Sequence, residues 1–393
     1  MRQRWLLSSP LARAVLVILV LLTGFHLVLL HLCVTPDTNV EAAIPLVAQR
    51  SHSGGVRDEV TLDFARQTVL LRQKLFSSAL HPFDLRPFFH QATQLEEPPL
   101  VSVTTLVTPE RRGMLVGLAE RWGGHMSVAY RIHLGPNVAQ DLRDLQQLLK
   151  SAPLLASNAD IHVVIDDQPL QLNLWRNIAR LYSPAKSVLM VDIDFVPDLG
   201  QRTFIHHNWG SLHASMVGTG QQSSKRVAFV VPAFEFAEGG GEDNIPETKQ
   251  QAAGLFRAGK LRMFHHTWFH GQGHTNYSRW LEAREEEDPY EVQSYHFKYE
   301  PFLLIPREAP FCDERFLGYG SNKCACVYEL KAAGYSFRVL PQSFLVHRPH
   351  ASEIQAREGT GAREKENQLN MEVMRRFMKD MELKYGLLAP RTD

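Results

Sequence analysis

Between Leu100 and Asp194 the chain repeats one pattern, a short apolar run followed by an amphipathic segment. The runs are LVSVTTLV, MSVAYRIHL, IHVVIDD and KSVLMVDID, rich in branched residues and short enough to be strands. Between them lie PERRGMLVGLAERWG, with Pro109 near its start, QDLRDLQQLLK, with Leu142, Leu145, Leu148 and Leu149 on one side, and PLQLNLWRNIARLYS. Each of these reads as a helix. Strands that alternate with helices pair mainly in parallel and are covered by helices on both faces, so the pattern predicts an α/β fold with a mostly parallel sheet. Such sheets bind ligands beyond the carboxyl ends of their strands.

The last run ends in two acids, Asp192 and Asp194, one residue apart. Alternate side chains of a strand share a face, so both carboxylates are expected on one side, where they repel unless a cation stands between them. Three chemistries use such a pair. Aspartates cap turns. Asp-x-Asp-x-Val is also the nucleophile pattern of haloacid-dehalogenase-like phosphatases. That pattern belongs on a first strand, whereas here three strand–helix units precede it and no later acidic pair in a Gly-rich setting follows. The third use is a nucleotide-sugar site, in which hard carboxylate oxygens hold Mn²⁺ or Mg²⁺ against two phosphates.

The N-terminus bears on location. From Ala14 to Cys33 the chain is almost uninterruptedly apolar, about the length that spans a bilayer. Arg2, Arg4 and Arg13 precede this stretch and Asp37 and Glu41 follow it, so the positive-inside rule keeps residues 1–13 cytosolic, makes 14–33 a signal anchor and sends the rest across. A cleaved signal peptide has a shorter apolar core that ends at a small-residue site. Residues 34–98 read as a stem, polar and Pro-containing, with one helical segment at TLDFARQTVLLRQKLFSSAL and a close at QLEEPP. Residues 99–393 remain as a single domain. The 42 basic and 42 acidic residues balance, which argues against general nucleic-acid binding. In an oxidising lumen Cys312 could pair with Cys324 or with Cys326, and a CxC with one distant cysteine is a poor zinc site. Several of the 18 histidines cluster, among them His265, His266, His270 and His274.

The stretch NLWRNIARLYSPAKSVLMVDIDFVPD resembles the core of glycosyltransferase family 49. Further motifs of that family follow in order: VVPAFE (230–235), HGQGHTNYSRW (270–280), YEPFLLIPR (299–307), DERFLGYGSNK (313–323) and AGYSFRVLPQSFLVHRPH (333–350). The resemblance is LARGE-like and β-1,4-glucuronyltransferase-like and runs from about residue 100 to the C-terminus. It implies a GT-A fold with a mixed, mostly parallel sheet. It also implies a luminal, inverting, metal-dependent transferase in the Golgi or endoplasmic reticulum membrane, using Mn²⁺ (or Mg²⁺). The implied donor is a UDP-sugar, best UDP-glucuronic acid, and the acceptor a glycan or glycoprotein.

Matched by position, Asp192 and Asp194 are the metal motif and His347 completes it. An imidazole must be neutral to ligate, so activity is expected to fall at acid pH. Arg176, Asn177, Glu235, His274, Asn276, Glu300 and Asn322 are the expected donor- or acceptor-binding residues, with Trp280 as an apolar wall for a sugar face. Arg176, Lys323 and Arg348 are candidate partners for a carboxylated donor. The slot after Gly320 where many inverting enzymes carry their general base holds Ser321 and Asn322, so Asp313 is the nearest matching acid. That gap motivates the competing expectation, a protein of the same fold that binds sugar or UDP–metal without catalysis. Asn276-Tyr277-Ser278 is an N-glycosylation sequon.

Overall fold

A computed structural model describes residues 83–94, 99–168, 170–219, 225–237, 245–348 and 361–387. The expected membrane anchor and the helical segment of the stem lie outside the described residues. Among those described, no helix is long and apolar enough to cross a membrane.

The first half of the fold comprises β1 (Asp84–His90), β2 (Val101–Val107), α1 (Met114–Trp122), β3 (Met126–His133), α2 (Val138–Ser151), α3 (Pro153–Asn158), β4 (Ala159–Asp166), α4 (Leu172–Leu181) and β5 (Ser187–Met190). After it come β6 (Phe195–Pro197), α5 (Gln201–His207), α6 (Trp209–Val217), β7 (Val227–Val231), β8 (Ala233–Phe236), α7 (Lys249–Arg257) and β9 (Leu261–Met263). The chain ends with α8 (Phe269–Gln272), α9 (Tyr277–Glu282), β10 (Tyr290–Glu291), β11 (Phe302–Pro306), α10 (Asn322–Ala332), β12 (Ser336–Val339), β13 (Leu345–His347) and α11 (Gly361–Tyr385).

The anticipated alternation holds from β2 to β5, and these strands pair in parallel in the order β4-β3-β2-β5. All eight residues of β4 are buried, as expected of a strand covered on both faces. Val128 and Tyr130 of β3 join a core with Leu115, Leu118 and Trp122 of α1, while the intervening Ala129 joins another with Trp175 and Ile178 of α4.

The sheet departs from the sequence reading in three places. First, β1 lies inside the span assigned to the stem, yet it pairs antiparallel with β4 and buries Leu85 against the α4 side. The sheet therefore begins before residue 99, and β1 covers an edge that β4 would otherwise expose. Second, the nine-stranded sheet is more mixed than the alternation suggested. β11 inserts antiparallel between β5 and β7, and β12 then pairs in parallel with β7. Third, β5 stops at Met190. Asp192 to Phe195 form a tight turn, closed by a 3.0 Å bond from Phe195 N–H to Asp192 C=O, so strand alternation does not set where Asp194 points.

That turn leads into a second, four-stranded sheet of order β6-β13-β8-β9. In it His347, the last residue of β13, stands opposite Phe195 of β6 and beside Glu235 of β8.

Candidate active site

In the main sheet, β3 follows β2 on one side while β5 lies on the other, a topological switch point where helices leave the sheet in opposite directions. A cleft of about 720 Å³ opens there, lined by Thr108 and Arg111 after β2, by Asp192 and Asp194 after β5, and by Glu300, Lys323 and His347 from later elements.

Each acid is bracketed by basic groups. Lys323 Nζ lies 2.8 Å and Arg176 Nη2 3.4 Å from the Asp192 carboxylate. Burial by itself would push Asp192 up, but Lys323 and Arg176 outweigh it and hold the carboxyl below its ordinary value. Arg176 is itself steered by Asn173 and Asn322, which accept from Nη1 at 2.9 and 2.8 Å. Lys323 stands over the Phe302 ring at 3.6 Å.

Asp194 meets Arg111 at 3.5 Å and His347 Nε2 at 3.4 Å. The small sheet delivers His347, because Arg348 N–H donates to Asp194 C=O at 2.7 Å and ties the end of β13 to the turn. The imidazole is 3 % exposed and rests against Phe195 and Phe264. Two carboxylates and an imidazole thus line one cleft. Hard oxygens with one nitrogen suit Mn²⁺ or a similar divalent cation, so the donor set fits the expected metal.

Glu300 and Asn322 also line the cleft. Burial pushes the Glu300 carboxyl up, and Lys323, Cys324 and Arg176 counter only part of that. Asn322 opens α10 behind a strained turn in which Gly318, Gly320 and Ser321 have φ of +69°, +98° and +59°. α11 clamps this turn. Asn370 Nδ2 donates to Leu317 and Tyr319 carbonyls at 2.7 and 2.9 Å, and Glu366 accepts from Tyr319 N–H at 3.1 Å. The same helix brings Asn367 and Met371 to the cleft wall. The sequence reading missed α11, although Met374, Phe377 and Met381, spaced as one helical face, bury against Phe316 and Ala325.

Other expected site residues are engaged elsewhere. Asn177 pins residues 312–314, donating to Cys312 C=O and Glu314 while accepting from Cys312 N–H. Asp313 is gripped by Arg315 at 2.8 Å, which also pairs with Asp380 of α11, and it does not line the cleft. Glu235 pairs with Arg262 at 3.0 Å and His266 at 2.9 Å, off the cleft lining. Trp280 is fully buried and donates to Ser343 C=O, so its ring is core and no sugar platform.

Arg348 reaches the helix α1 at Gly117, where an added Cβ would lie 3.0 Å from its guanidinium. Asn276, at φ +58°, is exposed and caps α9 by accepting from Arg279 N–H. His274 stacks with His270 and His296, beyond the cleft lining. Cys312 is bonded to Cys326, and Cys324 is a buried free thiol.

Paired acids, an imidazole and three cations meet at a switch-point cleft, a set of side chains that fits a divalent cation and an anionic ligand. Over residues 166–386 the chain matches the family described as glycosyl-transferase for dystroglycan, and it belongs to that family. It is 33% identical over 297 residues to the xylosyl- and glucuronyltransferase LARGE2 of Mus musculus, covering 75% of this chain and 40% of that protein. To the Homo sapiens LARGE2 it is 35% identical over 258 residues, covering 65% of this chain and 33% of that one. The chain therefore spans less than half the length of these curated relatives. Among solved structures it is similar to GalNAc-T7 with UDP, GalNAc and Mn²⁺ at 12% identity and a TM-score of 0.38, covering 64% of this chain and 44% of that one. That likeness is too loose to bear on the site.

Proposed function

We propose that the chain is a metal-dependent, inverting glycosyltransferase of GT-A type that moves a sugar from a UDP-sugar to a glycan or glycoprotein acceptor in the secretory pathway. The observation that carries this reading is the convergence of Asp192, Asp194 and His347 on one cleft, with Arg111, Arg176 and Lys323 beside the acids. The relatives' names, xylosyl- and glucuronyltransferase, support UDP-glucuronic acid as the donor. The apolar run from Ala14 to Cys33 supports a single-pass type II protein of the Golgi or endoplasmic reticulum, with the domain from 99 onward, and β1 before it, in the lumen.

Asp192, Asp194 and His347 would hold the Mn²⁺ or Mg²⁺. When bound, the ion supplies Lewis-acid neutralisation of the diphosphate as it leaves. The chain's own residues do the rest. Arg111, Arg176 and Lys323 supply positive charge for phosphate oxygens, and the Arg176 fork also suits the planar carboxylate of a uronate donor. Glu300 takes the role first assigned to Asp313. It lines the cleft, and its raised affinity for a proton suits a group that accepts one from the acceptor hydroxyl during in-line attack.

The test is UDP release by the full-length protein in detergent across a panel of UDP-sugars, with Mn²⁺, with chelator, and in Asp194→Asn. One donor turned over only with metal, and lost in the variant, supports the proposal. Saturable UDP–Mn²⁺ binding with no turnover on any donor or glycan acceptor overturns it in favour of a non-catalytic binder.

A further inference from the structure

Three histidines that the catalytic reading leaves unused meet beside the chain segments bonded to Glu300. His270 and His274 are four residues apart across α8 and the 3₁₀ turn that follows it, and His296 comes from the loop before Glu300. Their ligand atoms all lie within 4.8 Å of one another. The His270 and His296 rings stack at 4.0 Å, and His274 and His296 lie parallel, 2° apart, at 6.0 Å. None of the three lines the cleft that holds Asp192 and Asp194.

The orientation of the rings adds a second observation. His274 Nδ1 lies 2.9 Å from Ser294 Oγ. With its proton on Nδ1 and donated to the serine, the ring presents a lone pair on Nε2, the arrangement that metal-bound histidines adopt. That Nε2 is buried and has no hydrogen-bond partner among the described residues. A buried polar nitrogen left in this state is costly unless something occupies it. Burial first, and then the neighbouring positive groups, hold His274 and His296 below the ordinary histidine value, which keeps their lone pairs available. His296 accepts from Lys298 N–H at Nδ1 over 3.2 Å. Ligation through its Nε2 would shift the ring proton to Nδ1 and give up that long bond.

We infer that His270, His274 and His296 form a second metal site, for a borderline transition ion of the Zn²⁺ class, separate from the Asp-x-Asp centre. Imidazole nitrogens select Zn²⁺, Co²⁺, Ni²⁺ or Cu²⁺ over the oxygen-seeking Mg²⁺. Tetrahedral ligation at about 2.0–2.1 Å sets the nitrogens about 3.4 Å apart, so from a spacing within 4.8 Å the rings must turn out of their stack and draw together, with a fourth position left for water. The ion would fasten the 269–275 turn to the loop that carries Glu300. These segments are already joined by Gln272 Nε2 donating to Glu300 C=O at 2.6 Å and Glu300 N–H donating to Gly271 C=O at 2.9 Å. Its role is to brace the wall that positions Glu300.

The experiment titrates full-length protein, freed of metal, with ZnCl₂ by calorimetry and with CoCl₂ by visible spectroscopy. The expected result is one Zn²⁺ per chain beyond any held at the Asp-x-Asp centre, and strong Co²⁺ bands of tetrahedral nitrogen ligation. Both should persist in Asp194→Asn and be lost in His270→Gln and His296→Gln, with Zn²⁺ affinity falling at least about tenfold. His270 is exposed, so its substitution leaves the fold in place. Wild-type protein with no tetrahedral Co²⁺ band, or Zn²⁺ binding equal in the histidine variants, overturns the site. Neither readout depends on transferase activity, so a failure of the proposed function leaves this result separately legible.

Discussion

His347 Nε2 stands 3.4 Å from Asp194 Oδ2, although 153 residues of chain separate them. The pairing of β13 with β6 makes this contact, and under the proposed function it would turn a common Asp-x-Asp into a three-ligand site. Asp194→Asn and His347→Ala should each lower Mn²⁺-dependent UDP release by at least about 100-fold, the scale of losing several kcal/mol of transition-state stabilisation. Circular dichroism should be unchanged. Metal-dependent turnover surviving in His347→Ala would remove the histidine from the site.

Glu300 should set the acid limb of the pH profile. Burial raises its carboxyl, with Lys323 opposing. A base works ionised, so the rate should climb as pH rises through that elevated value and vanish below it. Glu300→Gln should lower kcat by about 10²–10⁴-fold and leave no carboxylate-dependent limb. Asp313→Asn, already committed to Arg315, should change kcat by less than about twofold. A large loss in Asp313→Asn with a normal Glu300→Gln would reverse the assignment.

Arg176 and Trp280 should fail in opposite ways. Arg176→Ala should raise KM for the UDP-sugar by about tenfold or more, the value of a hydrogen bond to a charged group, with little change in melting temperature. Trp280→Ala should cost about 3–5 kcal/mol of stability, as large core truncations do. Arg348→Ala should leave KM for the donor unchanged, because its guanidinium lies against Gly117. Steady-state kinetics and thermal melts on the three variants separate these outcomes.

Asp198 should make stability depend on pH. Burial pushes its carboxyl up to about 7, against bonds from Phe344 and Gly200 and the pull of Arg121. The folded state therefore holds this proton more tightly than the unfolded chain, whose value stays near 3.8. The contribution is complete below that lower value and is lost as pH rises toward 7, at up to about 1.4 kcal/mol per pH unit. Melting temperatures from pH 4 to 8 should fall across this window in wild type and flatten in Asp198→Asn. Equal slopes would show that another group titrates.

Gly320→Ala should destabilise the clamp between the 318–321 turn and α11. The residue has φ +98°, and an added Cβ would come 2.5 Å from Asn367 Oδ1. Strain of about 1–3 kcal/mol is expected, read as a lower denaturant midpoint. Gly113→Ala, with open space around it and helical backbone, should be neutral or slightly stabilising.

The chain's local chemistry determined the first half of the fold and the place of the two acids. Apolar runs and helical stripes from Leu100 to Asp194 carry their periodicity within a few residues, so strands and helices were legible directly, although β5 ends at Met190 and a turn carries the acids. The family motifs added His347 by position. What the sequence could not show is which distant partner each polar side chain meets. Asn177, Glu235 and Asp313 look as available as Glu300 in one dimension, yet three are consumed by Cys312, Arg262 and Arg315 while Glu300 lines the cleft. Trp280 could equally have been a sugar platform until the fold buried it. The antiparallel insertion of β11, the reach of β1 into the stem and the arrival of His296 beside His270 depend on pairing across long stretches of chain. Such contacts are chosen by the register and burial of whole sheets, a property of the packed molecule that no short window of sequence contains.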